Sequence, residues 1–561
     1  MKNRLNLLLL LPLSLLALPL PSPKSEELKI HALYLMQKHQ VSESLQRYQE
    51  YTHLSGKQDF ETLQQMGGLL LAHGAQSNDP QIFLMTLFGA GISGSSEVLG
   101  ILEAGLRNPD PNIQGIALHF IGQSEEDKAW ELLQVAMSSD YLSTRMEAAF
   151  YMAAKKHPLA MGHIEGLLFR LPPMFKPYFP SLFALLGTKD ATAALRRLVE
   201  DADVQVRVES ILNIAKMGRD DFLPLLRKRL SYCHIAELEA AAFAIGTLRD
   251  SSSLPKLKKL AASSVESVRL SASLALFRLG ERSYASDVKE LARRGNPFAV
   301  FALGEIEGAE DLLYSLMRSD DLRLRINATA ALLQRRDPRA LQGLSEILIQ
   351  DARNLAFSPF PSLGRSLLSL RAIPSAHLRE EDPTVNLGLS LALRDHFLRE
   401  ATHLPEVNFL TVARLVFQKQ QNDLVPTLIA LLENLRTPGA IELLKEGTQT
   451  LASPLIRNYC HLALYRLEEE GPYEEHVNHW IQHQKNEDLI RLRPLLPWKL
   501  RLEQPDYTLT PEETSQLLIE SFLAIANRRD EKSIHFLLDA LQNAHPANRY
   551  ALMGLLMKAT E

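Results

Sequence analysis

Cysteine is nearly absent from this chain, which has only Cys233 and Cys460 in 561 residues. Two cysteines cannot supply the disulfide framework on which small secreted domains depend. Both lie within helical patterns and each is followed by a histidine. We therefore expect two small, buried hydrophobic side chains rather than a disulfide or a redox pair.

An excess of charge of one sign is also missing, because 61 basic and 66 acidic residues leave a net charge of -5. A nearly balanced chain has no whole-molecule attraction for polyanions, so no nucleic-acid partner is expected, although a local basic patch stays compatible with this balance. The hydrophobic fraction of 46% and charged fraction of 23% are ordinary for a folded protein. The length exceeds what one compact core normally serves, so we expect several domains or one elongated body.

Long apolar runs are limited to one segment, residues 5–20, which follows Lys2 and Arg4 and is interrupted by Pro12. The run is shorter than the roughly 20 apolar residues that a bilayer span requires. A basic start followed by a short leucine-rich run is typical of a signal peptide, so residues 1–22 predict export to the periplasm or secretion. Because no clean small-x-small cleavage triplet follows, the alternative is an uncleaved N-terminal membrane anchor.

The sequence has no run of alternating polar and apolar residues, the pattern that is typical of strands. It has a helical repeat instead. Small or apolar residues follow Arg269 at offsets of 3, 6 and 7, and Gly280 follows at offset 11. The same pattern returns at steps of 31 residues towards the N-terminus, with equivalent positions at Leu238, Arg207, Lys176, Arg145, Gln114 and Phe83. Apolar spacing of three and four residues predicts two helices per repeat, and a two-helix unit of this size must bury its apolar face against its neighbours.

Helix boundaries within each repeat are also marked in the sequence. Asp110, Asp203 and Ser267 precede first helices and are expected to cap them. Glycines at offset 8 or 11 are expected to end the first helix in a left-handed turn. These glycines are Gly91, Gly94, Gly122, Gly187, Gly218, Gly246, Gly280 and Gly304.

The stretch VRLSASLALFRLG, residues 268–280, resembles the V-R-x-x-A-x-x-A-L-x-x-L-G pattern of HEAT-like repeats of the phycobilin-lyase type. The resemblance covers residues 79–350 well and residues 387–493 loosely. It implies an all-α fold, an α-solenoid with first helices on the convex side and second helices on the concave side. It also implies that the repeat arginine pairs with an aspartate of the neighbouring repeat. Scaffolds, adaptors and a few enzymes share such repeats, so the resemblance implies fold rather than function.

Departures from the repeat divide the chain into segments. After residues 1–22, we expect an N-terminal helical cap at 23–78 and the repeat solenoid at 79–350. A proline-rich break follows at 351–386, with degenerate helical repeats at 387–493 and a C-terminal helical cap at 494–561.

Two motifs of chemical interest have structural explanations. G89-A-G-I-S-G94 matches a dinucleotide-binding pattern, but a helix pattern precedes it instead of a strand, so no cofactor is predicted. His476, His479 and His483 share one helix face, where imidazoles can ligate a metal. Histidines on a polar helix are more often solvated, and no metal site is assigned.

The strongest candidate for a binding site is a basic stripe on four successive second helices. Cations recur at offsets 20 and 21 from successive repeat positions, and helices of adjacent repeats should lie about 10 Å apart. Such a stripe suits an acidic protein segment or anionic lipid head groups. The alternative is that these cations merely offset helix dipoles and face water. The stripe comprises Arg196, Arg197, Arg227, Lys228, Arg229, Lys256, Lys258, Lys259, Lys289, Arg293 and Arg294.

Taken together, these features predict a non-enzymatic, exported scaffold that binds an extended or acidic protein partner on its concave face, without a small-molecule cofactor. One alternative is an adaptor at an anionic membrane surface, held by the N-terminal segment and the basic stripe. A third hypothesis, a lyase-type enzyme or metal-binding protein, has no local nucleophile or acid–base pair to support it.

Overall fold

The computed structural model describes residues 23–232, 234–349, 393–450, 453–491 and 509–561, and no strand occurs among them. The predictions for residues 1–22, for Cys233 and for the break at 351–386 lie outside the described residues. The chain divides into two compact units. Unit 1 comprises residues 1–104 and 525–561, and unit 2 comprises residues 105–524.

Unit 1 joins helices from both ends of the chain, and two helices, α5 and α27, each extend across a unit boundary. The helices from the N-terminal part are α1 (Pro23–Gln37), α2 (Val41–Ser55), α3 (Phe60–Gly74), α4 (Pro80–Ser93) and α5 (Leu99–Leu106). The helices from the C-terminal part are α27 (Pro511–Arg528), α28 (Glu531–Asn543) and α29 (Asn548–Thr560).

Unit 2 is a succession of helix pairs. They are α6 (Pro111–Gln123) and α7 (Asp127–Ala136), α8 (Leu142–Ala154) and α9 (Ala160–Arg170), α10 (Phe179–Leu186) and α11 (Lys189–Leu198), α12 (Val204–Lys216) and α13 (Leu223–Arg229), α14 (Ile235–Thr247) and α15 (Leu254–Ala261), α16 (Glu266–Arg278) and α17 (Ala285–Arg293), α18 (Pro297–Ala302) and α19 (Glu310–Leu316), α20 (Leu322–Gln334) and α21 (Ala340–Ile349). Residues 393–400 are helical as well. The later helices are α22 (Glu406–Gln418), α23 (Val425–Leu435), α24 (Pro438–Thr450), α25 (Pro454–Arg466) and α26 (Tyr473–His483).

The helices of unit 2 stack in the order of the repeats. The first helices α12, α14 and α16 pack directly on one another, and the second helices α13 and α15 pack against the first helix of the following pair. The positions at offsets 3, 6 and 7 are buried at this packing, as at Ala272, Ala275 and Leu276, each with no exposed surface. The predicted all-α fold, an α-solenoid, is therefore confirmed.

In five first helices, the Arg or Gln at the repeat position makes the same contact. Its side chain donates a hydrogen bond to the backbone carbonyl six residues earlier. The donor–acceptor pairs are Gln114 to Asn108, Arg145 to Ser139, Arg207 to Asp201, Arg269 to Ser263 and Arg325 to Ser319. This contact holds the segment that enters each first helix.

The acidic partner implied by the resemblance differs in this chain. Arg207 pairs with Glu237 of the next repeat, where an aspartate was implied. Lys176 lies in a short 3₁₀ helix, Pro173–Tyr178, and its ammonium instead pairs with Asp201 at 3.2 Å. The contact six residues back thus occurs where the Arg or Gln lies inside the first helix, and Lys176 lies outside one.

The predicted role of the repeat glycines is correct at offset 11 and wrong at offset 8. Gly94, Gly187, Gly218 and Gly280 have positive φ angles of 72°, 67°, 63° and 99°. Gly246, at offset 8, lies inside α14, and a Cβ there would sit 2.7 Å from Cα of Ala275 in the next first helix. The glycine at position 246 therefore serves the close approach of neighbouring helices and not a turn.

Helix capping follows the sequence prediction at two of three positions. Asp110 and Asp203 accept hydrogen bonds from the backbone N–H groups of Asn112 and Gln205. Ser267 was wrongly predicted as a cap, because α16 already begins at Glu266. Ser263 instead accepts a hydrogen bond from the N–H of Val265.

Candidate binding face of the second helices

The basic stripe lies on the second helices of four successive repeats in unit 2. Its residues occupy α11, α13, α15 and α17, with Arg294 directly after α17. These helices are short, and their charged side chains alternate with buried residues such as Leu195, Leu226 and Leu257. The stripe residues therefore lie on the second helices to which the sequence assigned them, and the electrostatics of each cation depend on the groups that surround it.

Three of the four cations at offset 20 pair with acidic residues of the following repeat. Arg196 lies 2.8 Å from the Asp221 carboxylate, and Lys258 lies 2.8 Å from that of Glu281. Arg227 makes two hydrogen bonds to Asp250, of 2.9 and 2.7 Å, and the Arg227 bonds lower the pKa of the Asp250 carboxyl. A planar guanidinium matches a carboxylate in this two-bond arrangement.

The cations at offset 21 pair in the opposite direction, with acidic residues earlier in the chain. Arg197 lies 2.6 Å from Glu165, and Lys228 lies 3.4 Å from Glu200. Arg229 is buried, with its guanidinium 3.2 Å from Glu237 and 4.5 Å from the centre of the Tyr232 ring. The first part of the stripe is thus a ladder of ion pairs between repeats, in which Asp221 also pairs with Arg219 and Glu237 also pairs with Arg207.

The ladder is interrupted at α15. Lys259 occupies offset 21, but residues 227–231 of the preceding repeat, RKRLS, contain no carboxylate. Among the described residues, Lys259 has no hydrogen-bond or ion-pair partner, and its side chain is exposed. Lys256 donates only to neutral oxygens, the Arg227 carbonyl at 3.0 Å and the Ser231 hydroxyl at 2.8 Å. This part of the stripe therefore keeps its positive charge.

The last part of the stripe has one carboxylate for two guanidinium groups. Glu290 lies 3.0 Å from Arg294 and 3.9 Å from Arg293, and all three side chains are more than half exposed. Lys289 donates to the Gly308 carbonyl at 3.0 Å and to no carboxylate in the described part of the chain. The stripe cations that have no carboxylate partner among the described residues thus lie on α15 and α17.

Sequence reasoning found the cations of this face but missed their acidic partners. The partners of the offset-20 cations stand 23 to 25 residues after each cation, in or just before the 3₁₀ turn that precedes the next second helix. This fixed spacing was a usable signal. We name Lys256, Lys259 and Lys289 the unpaired cluster, because no carboxylate of the described residues pairs with them.

The predicted histidine face of α26 divides into two separate contacts. The His476 ring stacks on His461 of α25 with ring centres 3.5 Å apart, and its Nε2 lies 3.2 Å from the Asn458 side chain. His479 and His483 contact each other, with ring centres 4.1 Å apart. Burial, together with the neighbouring His476 and Arg457, lowers the pKa of His461 to about 4. In the described ranges, no three His, Cys, Asp or Glu side chains are placed to hold a metal ion.

The glycine motif and the second cysteine also have structural roles. Gly89 and Gly91 lie inside α4, which ends at Gly94, and Gly89 contacts Gly554 of α29. Cys460 is a free, buried thiol in α25. No helix of the described chain is both long and apolar enough to cross a bilayer.

Comparison with known proteins gave structural neighbours alone. No family model matches the chain, and no curated protein matches it. The complex of CpcE and CpcF of phycocyanin lyase from Nostoc sp. PCC7120 is 18% identical, with 48% of this chain and 94% of that chain covered and a TM-score of 0.27.

Two karyopherin structures match over more of the chain. Kap95p, from a structure with RanGDP, is 11% identical and covers 92% of this chain and 76% of its own, with a TM-score of 0.29. Kap121p, bound to the extreme C-terminus of the protein phosphatase Cdc14p, is 13% identical and covers 95% and 65%, with a TM-score of 0.28. At these identities and TM-scores, the likenesses add nothing to the functional argument.

Proposed function

We propose that this protein is a non-enzymatic scaffold whose second-helix face binds an acidic segment of a partner protein, with the unpaired cluster at its centre. The observation that carries the proposal is the interruption of the ion-pair ladder at Lys259. The cations on α11 and α13 and Lys258 of α15 pair with carboxylates of neighbouring repeats, whereas Arg293 and Arg294 share Glu290 of their own helix. At the unpaired cluster, positive charge remains available to a ligand.

The arrangement of the unpaired cluster supports an extended ligand. Lys256 and Lys259 are three residues apart on α15 and so share one helix face. Lys289 stands on the next second helix, at the offset that Lys258 occupies on α15. Carboxylates spaced along an extended peptide can contact neighbouring repeats in turn, because a repeat stack presents one continuous surface rather than a pocket.

The test compares two triple variants that change the net charge equally. Lys256→Glu, Lys259→Glu and Lys289→Glu reverse the unpaired cluster. Lys128→Glu, Lys189→Glu and Lys216→Glu reverse three other exposed lysines of unit 2. The probe is a fluorescent 20-residue peptide of alternating Asp, Glu and Ser, followed by anisotropy at about 50 and 200 mM salt.

We expect the first variant to weaken peptide binding at least about tenfold, since each rim charge pair contributes up to about 1 kcal/mol. The second variant should bind within about twofold of the unaltered protein, which separates a local site from net charge. Equal weakening in both variants, or binding that survives in the first, overturns the assignment of the site. Circular dichroism confirms that both variants stay helical.

Export is a separate proposal, which rests on residues 1–22 alone. We propose that this segment directs the chain out of the cytoplasm. N-terminal sequencing of the protein from its own source distinguishes the alternatives: a new N-terminus near residue 22 indicates a cleaved signal peptide, and an intact Met1 indicates an anchor.

A further inference from the structure

Two histidine rings connect α25 with α26 in unit 2, and the proposed function does not use them. The rings of His461 and His476 are parallel within 14°, with their centres 3.5 Å apart. Both side chains are half-buried. The Tyr473 ring of α26 lies 5.9 Å from the His461 ring. We name His461 and His476 the histidine pair.

The hydrogen bonding of the histidine pair fits neutral rings. The Nδ1 atom of His461 is buried and has no hydrogen-bond partner among the described residues. A neutral imidazole can keep this nitrogen as an unprotonated acceptor, whereas an imidazolium has N–H donors on both nitrogens. Protonation of His461 therefore buries an N–H donor without an acceptor, which is costly.

The groups next to the histidine pair oppose its protonation. Arg457 precedes His461 by four residues on α25, and His479 follows His476 by three residues on α26. Burial, His476 and Arg457 lower the pKa of His461, and burial, His479 and Arg457 lower the pKa of His476. Two imidazolium rings at this separation also repel each other. The stacked arrangement therefore requires that at least one ring be neutral.

Carboxylates on the helices that pack against α25 are engaged with other cations. Glu433 of α23 and Glu520 of α27 both pair with Arg466, at 3.3 and 3.2 Å. Beside α24, Lys445 pairs with Glu469 at 2.9 Å. None of these three carboxylates offsets a positive charge on the histidine pair.

The other carboxylates of α24 and α26 also leave the pair without an acidic partner. On α24, Glu446 pairs with Arg414 at 3.0 Å, and Glu442 is exposed and acts on Lys445. Glu474 and Glu475 are exposed in the first turn of α26. Glu475 directly precedes His476, and consecutive helix residues do not face each other.

Helix α26 depends on α25 for its place in the stack. Among the described helices, α26 packs mainly on α25, and it buries Tyr473, Val477 and Ile481. A helix with few packing partners opens at a lower free energy than the core of its domain. Weakening the histidine contact therefore acts on the main attachment of α26.

We propose that the histidine pair is an acid-sensitive attachment, which holds α26 on α25 at neutral pH and releases α26 when the rings gain protons. Release exposes Tyr473, Val477 and Ile481 to solvent. The device is independent of the unpaired cluster, because Lys256, Lys259 and Lys289 lie on α15 and α17.

The direction of the pH dependence follows from the lowered pKa. In the folded state the pKa of His461 is about 4, whereas a solvated imidazole has a pKa near 6.5. Release of α26 therefore takes up protons, and it becomes more favourable as pH falls from about 6.5 towards 4. Between pH 7 and pH 5, the open population of α26 should rise about tenfold or more.

The experiment is hydrogen exchange of the full-length protein at pH 7 and pH 5, read by mass spectrometry of peptides. Labelling times are scaled to the intrinsic exchange rate at each pH. Peptides from α26 report on the attachment, and peptides from α7 report on unit 2 away from it. We expect the protection of α26 amides to fall about tenfold or more at pH 5, while the protection of α7 changes less than threefold.

Matched variants assign the effect to the histidine pair. His461→Phe keeps an aromatic ring but cannot gain a proton, so α26 should stay protected at pH 5. His476→Gln removes the other ring and keeps a side-chain donor for Asn458, and it should reduce the loss in the same way. His234→Phe changes an exposed histidine of unit 2 and should behave like the unaltered protein.

Circular dichroism at pH 7 checks that each variant is folded, and His476→Gln decides the question if His461→Phe is not. Equal protection of α26 at both pH values in the unaltered protein contradicts the proposal. A loss that α7 shares equally would show unfolding of the whole unit and also overturn it. So would a loss at pH 5 that persists in the folded histidine variants.

Discussion

The recurring Arg or Gln of the first helices contributes to the fold through a hydrogen bond to the backbone. The Arg or Gln that recurs in the first helices donates to a carbonyl six residues earlier, as at Gln114 and Arg325. The contact appears when the residue is Gln as well as Arg, so its geometry depends on reach and donor capacity rather than on charge. The positive charge of the arginine is then free to pair with an acid of the next repeat, as Arg207 does with Glu237.

Glu209 is a residue whose burial makes the protein sensitive to pH. It lies buried in α12, accepts a 2.9 Å hydrogen bond from Gln205, and has no ion-pair partner among the described residues. Burial raises its pKa to about 8. The folded state therefore holds a proton that the unfolded state releases near its ordinary pKa, about 4.3.

Because the unfolded state binds fewer protons than the folded state between these two pKa values, the free energy of unfolding should fall as pH rises from about 5 to 8, by up to about 1.4 kcal/mol per pH unit. Glu209→Gln should remove this dependence of stability on pH. At pH values above 8, the urea midpoint of unit 2 should then be higher in the variant than in the unaltered protein. Exposed Glu131 on α7 offers the control, and Glu131→Gln should leave the slope unchanged. Urea midpoints at pH 5, 7 and 9 measure both, and a slope that persists in Glu209→Gln would refute the burial argument.

At the scale of elements, seven first helices end in the same left-handed backbone conformation whether or not the residue there is glycine, whereas α6 ends at an extended Ser124. Offset 11 has positive φ at four glycines, and also at Lys156, Arg249 and Arg336, with φ angles of 54°, 55° and 56°. The stacking of the helix pairs therefore imposes the turn, and glycine only lowers its cost. This explains why the repeat tolerates the loss of that glycine in some modules.

Two glycine substitutions can separate the effect of backbone conformation on stability from the effect of side-chain packing. Nothing lies within 4 Å of a Cβ added at Gly218 or at Gly115, but Gly218 has a φ of 63° and Gly115 lies inside α6. Gly218→Ala should destabilise by about 1 kcal/mol, and Gly115→Ala should stabilise by roughly 0.5–1 kcal/mol. Denaturant midpoints measure both, and the same sign for both would contradict the argument.

The ion-pair ladder is also a property of elements rather than of residues. Its pairs join neighbouring second helices, and most of their side chains are partly exposed, so each contributes up to about 1 kcal/mol. The pair of Arg227 and Asp250 differs, because Asp250 is buried and also accepts a hydrogen bond from Ser253 at 2.6 Å. The ladder thus aligns adjacent repeats, and its interruption at Lys259 exposes charge without loosening the stack.

At the scale of the whole molecule, the two ends of the chain meet in unit 1. Helix α29 packs against α3, α4 and α28, and nearly all of its residues are buried. Gly554 and Gly89 bring the backbones of α29 and α4 into contact, so a side chain at Gly554 would meet the Gly89 carbonyl. Unit 1 therefore depends on segments more than 400 residues apart in the sequence.

Gly554→Val should destabilise unit 1 selectively by forcing α29 away from α4, at a cost of roughly 1–3 kcal/mol. The chain offers a natural readout, since Trp130, Trp480 and Trp498 all lie within the range of unit 2. The circular dichroism midpoint in urea should fall, and tryptophan fluorescence should keep its midpoint. Gly68→Ala, at an open position of α3, serves as the control and should leave both midpoints in place or higher.

The sequence alone determined the repeat, the helix pairs and the buried offsets, because helical periodicity and the need to bury an apolar face are local properties. Asp110 and Asp203 were likewise recognisable as caps, since a cap bonds only to its own helix. Tertiary structure alone decided which cations are paired with a carboxylate and which are not, because an ion pair depends on a partner from another repeat. Arg227 is paired with Asp250, and Lys259 has no carboxylate partner among the described residues. It also decided the meeting of α4 with α29, since contacts between distant segments leave no periodic signal, and backbone contact at Gly89 and Gly554 depends on how the helices cross.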